Sequence, residues 1–287
     1  MEKCELNEQN KHTEQLKQMM DEYGKQPVCL AFSGGVDSSL LLKMLSDSCG
    51  KYGNPVYAVT FDTMLHPACD MENAGKVAKE MKAVHVVLQV DELELEEIKN
   101  NPVNRCYLCK HHLFQILKEF AAEKNITCLM DGTNEDDLHV YRPGIKALGE
   151  LGIESPLARC HMTKAEVKKL AAEYGITSAS RPSTPCMATR LPYGTKLDYD
   201  LLKRIEEGEA FLKTILSGNI RLRVHGDTAR LEIDEGQMEE ALKCRREITA
   251  ALKKEGFTYV TLDLEGFRSG SMDIPILYPE INSTRLS

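Results

Sequence analysis

Apolar residues in the first half of the chain fall into two alternating patterns. Short unbroken runs at residues 28–32, 56–61, 84–90 and 128–131 have the length and composition of buried parallel strands. Around them, apolar positions recur at helical spacing. Leu16, Met19, Met20 and Tyr23 mark an opening helix that ends at Gly24, and Leu40, Leu41, Met44 and Leu45 mark the next. Ala74, Val77, Ala78 and Met81 mark a helix capped by Asp70, and Leu113, Ile116, Leu117, Phe120 and Ala121 one over residues 109–124. Strands alternating with helices predict an α/β fold, a doubly wound parallel sheet with both faces covered. Such sheets bind ligands at the carboxyl ends of their strands. Ser33, Asp62 and the run Asp131-Gly132-Thr133-Asn134 all fall there.

The pattern then changes. Residues 135–160 read as loop, and Thr163-x-x-Glu166 is a capping box opening a helix that ends before Gly175. Residues 181–195 carry three prolines and no periodicity. A domain boundary there divides the chain into residues 1–180 and a smaller C-terminal α+β domain, 181–287. The latter reads as a helix at 198–216, a hairpin of 221–225 and 229–233 across Gly226-Asp227, a helix at 237–253 and a strand at 259–264.

The stretch Ser33-Gly34-Gly35-Val36-Asp37-Ser38-Ser39 follows the first strand and opens a helix. Adjacent glycines let the backbone approach a ligand and take positive φ. The N–H groups of the first helical turn lack internal partners and carry the positive end of the helix dipole, so this junction suits phosphate. No GK[ST] follows the glycines, which excludes a Walker loop, and the dinucleotide GxGxxG is absent. The bland alternative is a βα turn whose serine and aspartate only cap the helix.

Charge and cysteine content narrow the function. With 36 basic against 44 acidic residues, net −8, and no cluster of Lys or Arg, the chain lacks the footprint of a nucleic-acid surface. A polar, charged opening and the absence of a long apolar run predict a cytoplasmic protein with no membrane association. Its ten cysteines are then expected reduced, and grouped ones are ligands or catalysts rather than disulfides. Cys106-x-x-Cys109 is the group, and Cys186 lies far along the chain in Pro185-Cys186-Met187. The spacing of three leaves several readings open: zinc with His111 or His112 and another cysteine, a redox pair, two ligands of an iron–sulfur cluster, or no chemistry at all. In the second domain, Arg221, Arg223 and His225 alternate along one strand and share a face, as do Arg230 and Glu232 on its partner. Planar guanidinium forks suit a phosphate or carboxylate, and cross-strand ion pairs are the plainer explanation.

Taken together, these stretches resemble one family. SGGVDSS resembles the PP-loop of the ATP pyrophosphatase superfamily (adenine nucleotide alpha hydrolase-like fold). DGTNEDD at 131–137, YRPGIKA at 141–147, ATRLPYGTKL at 188–197 and RLRVHGDTARLEI at 221–233 resemble, in the same order, the LarE-type sulfur transferases. The resemblance implies that Ser33, Gly34, Gly35, Ser38 and Ser39 hold pyrophosphate, that Asp37 caps the helix and helps place Mg2+, and that Asp62, Asp131, Gly132 and Asn134 complete the ATP site. It implies adenylation of a carboxylate of pyridinium-3,5-biscarboxylic acid mononucleotide, then replacement of the AMP-bearing oxygen by sulfur. Cys186 matches a sacrificial cysteine of one family type. With Cys106 and Cys109 it matches the other type, in which three cysteines hold a 4Fe-4S cluster. Arg221 and Arg223 would bind substrate phosphate and Arg190 the acyl-adenylate, with Glu209 and Glu232 beside them. A small-molecule nucleotide substrate, a sulfur donor the sequence does not name and a homo-oligomer complete what the family implies. The alternatives are a cluster-dependent tRNA thiolase, a PP-loop synthetase such as an NAD or GMP synthetase, and a non-catalytic nucleotide or iron–sulfur sensor.

Overall fold

The computed structural model describes residues 2–66, 68–140, 142–176 and 186–274. Along the chain run α1 (Glu2–Tyr23), β1 (Val28–Ala31), α2 (Val36–Tyr52), β2 (Val56–Asp62), α3 (Ala68–Glu80), β3 (Val84–Gln89), α4 (Glu96–Lys99), α5 (Arg105–Glu123) and β4 (Cys128–Met130). Then follow α6 (Glu135–Leu138), α7 (Gly144–Leu151), α8 (Pro156–Arg159), α9 (Lys164–Glu173), α10 (Tyr199–Ile215), β5 (Ile220–His225), β6 (Thr228–Ile233), α11 (Met238–Lys243), α12 (Arg245–Lys254) and β7 (Tyr259–Leu262). Two compact units form: residues 1–91 with 106–184, and residues 92–105 with 185–287. The boundary expected near residue 181 lies in 177–185, outside the described residues.

The first unit is built on a parallel sheet of order β3-β2-β1-β4. Val28, Cys29 and Leu30 of β1 are all fully buried, because helices cover both faces and neither alternate can be polar. One face packs Leu16 and Met20 of α1, Leu41 and Leu45 of α2, and Leu170 of α9. The other packs Phe114, Leu117 and Ala121 of α5 with Leu148 of α7. The carboxyl edge therefore lies between two helical layers, and all that emerges there comes from the βα loops.

Four local expectations are corrected. Residues 135–160 hold three short helices rather than loop. They were hidden because four- to eight-residue helices are too short for a periodic signal. α3 begins at Ala68, so Asp70 lies inside it and not at its cap. α2 begins at Val36 with Gly35 as its N-cap residue, so Asp37 sits in the first turn and does not cap the helix. The helix expected over 237–253 breaks at Cys244 into α11 and α12. The capping box at Thr163 is present in both halves: Glu166 N donates to the Thr163 hydroxyl, and Thr163 N donates to the Glu166 carboxylate.

The second unit packs a three-stranded sheet, β5-β6-β7, on α10 and α12. β5 and β6 are antiparallel and β7 runs parallel to β6. Leu222, Val224, Leu231 and Ile233 face the helices, leaving Arg221, Arg223, Arg230 and Glu232 on the opposite face. Residues 92–105 are bound into this unit by main-chain bonds from Leu197 N to Lys99 O (2.7 Å) and Gly194 N to Asn101 O (2.8 Å). Among the described residues no helix is long and apolar enough to cross a membrane.

The cap on α9 generates a stability test. Thr163→Ala removes its side-chain acceptor and is expected to destabilise the first unit by about 1 kcal/mol in urea unfolding. An unchanged midpoint would mean that the box contributes nothing to this helix.

Candidate active site

The loop after β1 is shaped by a glycine that nothing else replaces. Gly34 has φ 73°, and a Cβ there would lie 2.8 Å from Asn73 Nδ2 and 3.0 Å from the Ala74 backbone. Asn73 Nδ2 donates to Gly34 O (2.9 Å) and fixes the turn from α3. Gly35 has no side chain to cap α2. The Ser33 hydroxyl accepts from Gly35 N and lies 3.3 Å from that of Ser38, which donates to Gly35 O (3.1 Å). Ser39 Oγ is buried with no hydrogen-bond partner among the described residues.

The loop after β4 closes onto this turn. Gly132 makes that possible, since a Cβ on it would lie 3.1 Å from Ser38 N and 3.3 Å from Asp37 Cβ. Asn134 caps α6 through a capping box with Asp137, and its Nδ2 donates to Asp37 Oδ1 (3.1 Å). Lys164 Nζ donates to Asp37 Oδ2. Asp131 is buried and fully engaged: Oδ1 accepts from Thr133 N and Ser155 Oγ, and Oδ2 from Thr133 Oγ1 and Lys110 Nζ. The fold thus brings together Ser33, Gly34, Gly35, Asp37, Ser38, Ser39, Gly132 and Asn134, with Asp131 bracing the loop beneath. Asp62 ends the neighbouring strand with an exposed side chain. Sequence reasoning missed Asn73, Lys110 and Lys164. Lys164 did carry a signal, being the first helical residue after the capping box.

The cysteines separate by burial. Cys106 and Cys109 are half-buried, one turn apart at the start of α5, so they share a helix face. Cys186 is half-buried and precedes a 3-10 turn over Met187–Arg190, its carbonyl accepting from Thr189 N and Thr189 Oγ1. Cys29, Cys49, Cys128 and Cys160 are buried in the first unit, and burial pushes the Cys29 and Cys128 thiols up to about 12 and the Cys49 thiol to about 11. These four are core residues, unsuited to thiolate chemistry. Among the described residues no three His, Cys, Asp or Glu side chains are assembled around a single metal-ion position.

The second unit holds a buried charge network. Arg190, 1% exposed, donates from Nε and Nη2 to Glu209 (2.8 and 2.9 Å), and Glu209 Oε1 also accepts from Leu222 N. Glu209 is therefore no solvated helix charge. Arg223 donates to Glu232 (3.0 Å), to Thr189 O and to Ser271 Oγ. Glu232, fully buried, also takes Arg230 Nη2 (2.8 Å). Arg221 differs: its guanidinium stacks 5.3 Å over Phe267 and donates to Ile220 O, and among the described residues no carboxylate lies within ion-pair distance. Burial, with Arg190 next, draws its pKa down. A half-buried guanidinium with no carboxylate at ion-pair distance among the described residues has room for an anion. His225, exposed at the end of β5, has its pKa drawn down by the surrounding protein and by Arg230.

Residues 8–140 match the PP-loop domain family. An uncharacterized protein of Synechocystis sp. is 34% identical over 91% of this chain and 96% of its own length. A pyridinium-3,5-bisthiocarboxylic acid mononucleotide synthase of Lactiplantibacillus plantarum is 35% identical over 86% of this chain and 89% of its own. An uncharacterized protein of Methanocaldococcus jannaschii is 32% identical, over 88% and 94%.

The Arg190–Glu209 pair makes a sharp prediction. Glu209→Leu strands a buried guanidinium and should destabilise the second unit by about 3–5 kcal/mol, whereas Arg190→Met with Glu209→Leu should recover most of that. Equal losses in the single and double variants would contradict the pairing.

Proposed function

Because the chain belongs to the LarE-type family of PP-loop, ATP-dependent sulfur transferases, we propose that it converts carboxylates of pyridinium-3,5-biscarboxylic acid mononucleotide to thiocarboxylates, using sulfur carried on a 4Fe-4S cluster, in nickel-pincer nucleotide cofactor biosynthesis. The observation that carries the ATP step is the junction of two glycine-dependent loops on Asp37, at the carboxyl edge of the sheet.

The pyrophosphate end of ATP is assigned to Ser33, Gly34, Gly35, Ser38 and Ser39, where α2 presents its unsatisfied first-turn N–H groups. The unpartnered Ser39 hydroxyl supports a polar ligand beside it. Asp62, Asp131, Gly132 and Asn134 complete the nucleotide site in this assignment. A carboxylate oxygen of the substrate attacks the α-phosphorus, and pyrophosphate leaves. An ionised carboxylate needs no base, and the loops supply none. Asp37 fits a Mg2+ site, a carboxylate oriented by Asn134 and balanced by Lys164, and the ion supplies charge neutralisation on the phosphates. We assign Lys164 to the same anionic group, because its ammonium already faces Asp37.

The sulfur carrier in this reading is a cluster held by Cys106, Cys109 and Cys186, supported by their being half-buried while the four core cysteines are walled off. Three thiolates would leave one iron of such a cluster without a protein ligand, and sulfide would be supplied there. Arg221, with no carboxylate within ion-pair distance among the described residues, is assigned to the substrate phosphate. Arg223 and Arg190, held by Glu232 and Glu209, orient that face. The acidic balance supports a small-molecule substrate over a tRNA.

Two experiments test this reading. Asp37→Ala should abolish pyrophosphate release and leave iron content unchanged, whereas normal release would remove Asp37 from the ATP site. Anaerobic purification should give a brown protein with about four irons per chain, lost in Cys186→Ala. A colourless wild type that loses sulfur from Cys186 on turnover would replace the cluster with a sacrificial cysteine.

A further inference from the structure

Lys110 lies one helical turn beyond Cys106 and next to Cys109, yet its side chain serves the nucleotide loop. Its Nζ donates to Asp131 Oδ2 at 3.1 Å. Asp131 is 5% exposed, and among the described residues Lys110 is the one cation within ion-pair distance of it. A carboxylate that buried needs a counter-charge as well as hydrogen bonds. The start of α7 lies close to the lysine stem and the cysteine turn: a Cβ on Gly144 would lie 3.0 Å from Lys110 Cδ and 3.2 Å from Cys106 O, and the ammonium sits 5.6 Å from the Phe114 ring centroid. On the other side, the residue after Asp131 is Gly132, pressed against Ser38 N. The α5 turn is thus linked through the Lys110–Asp131 bond to the residue before Gly132, which lies against the loop after β1.

We propose that Lys110 is a positioning residue that couples nucleotide occupancy at the loop after β1 to the conformation of the Cys106–Cys109 turn. The proposal rests on the assignment of ATP to that loop. It assigns to the Lys110–Asp131 ion pair the task of reporting a bound nucleotide to the cysteine turn. Coupling of this kind is reciprocal, so the state of the cysteines changes nucleotide affinity by the same factor.

Amide hydrogen exchange on the full-length chain, with and without Mg2+ and α,β-methylene-ATP, which keeps all three phosphates and resists cleavage between α and β, reads this directly. In the wild type this analogue should slow exchange both at residues 33–39 and at residues 106–114, the latter by about fivefold or more, the lower end of ordinary coupling between sites. In Lys110→Met the protection at 33–39 should persist while that at 106–114 disappears, and Lys110→Arg should restore it by restoring the charge. Protection at 106–114 that survives in Lys110→Met, or that Lys110→Arg fails to restore, overturns the proposal. Wild-type protection at 33–39 alone overturns it too and leaves the ATP assignment standing. Wild type unprotected at 33–39 removes the ATP assignment and this proposal with it.

Discussion

Two backbones can meet at the end of the sheet only because Gly34 and Gly132 carry no side chain. Gly34 turns the chain under Asn73 with positive φ, and Gly132 lies on the N–H of Ser38. Asn134 is placed by this contact within reach of Asp37, and the first turn of α2 is left facing the sheet edge. The remaining polar contacts fasten this junction from outside: Lys164 from the N-terminus of α9, Lys110 from α5, Ser155 from the residue before α8. The capping boxes at Asn134 and Thr163 fix the helix starts that supply Asn134 and Lys164. Local turn chemistry thus sets the geometry of the site, and the buried sheet provides its rigid floor.

The second unit solves a different problem, that of keeping arginines on one face of a small sheet. Arg190 and Arg223 are almost wholly buried and each is matched to a buried glutamate. Such pairs add little net stability against apolar replacements, but losing one partner is strongly destabilising. They hold the face in one arrangement, with Arg221 stacked on Phe267 and, among the described residues, no carboxylate within ion-pair distance of it.

The sheet was legible because buried parallel strands read as unbroken apolar runs, and each strand expected in the first unit is present to within two residues. The SGGVDSS junction was legible because paired glycines between a strand and a helix have few other uses. What escaped has a common cause. Lys164 and Asp37 are 127 residues apart, Asn73 and Gly34 39 apart, and no spacing rule links positions that only the tertiary fold brings together. Glu209 reads as one more charge on an amphipathic helix, because its burial depends on Arg190 and the β5 backbone. The helices α6 to α8 are too short to show a period, although Ser155-Pro156 is a usable start signal. Asp37 reads as a cap because an acidic residue after glycines usually is one, whereas here the helix begins earlier and frees the carboxylate for Asn134 and Lys164.

An ATP-dependent sulfur transferase of this family is expected to spend ATP in exchanging carboxylate oxygen for sulfur. Mass spectrometry of pyridinium-3,5-biscarboxylic acid mononucleotide after anaerobic incubation with the wild-type protein, Mg2+, ATP and sulfide tests it most directly. The expected product carries sulfur in place of carboxylate oxygen, forms only when ATP is present, and is accompanied by AMP and pyrophosphate. An unchanged substrate, with ATP left intact by protein that binds AMP normally, would contradict it.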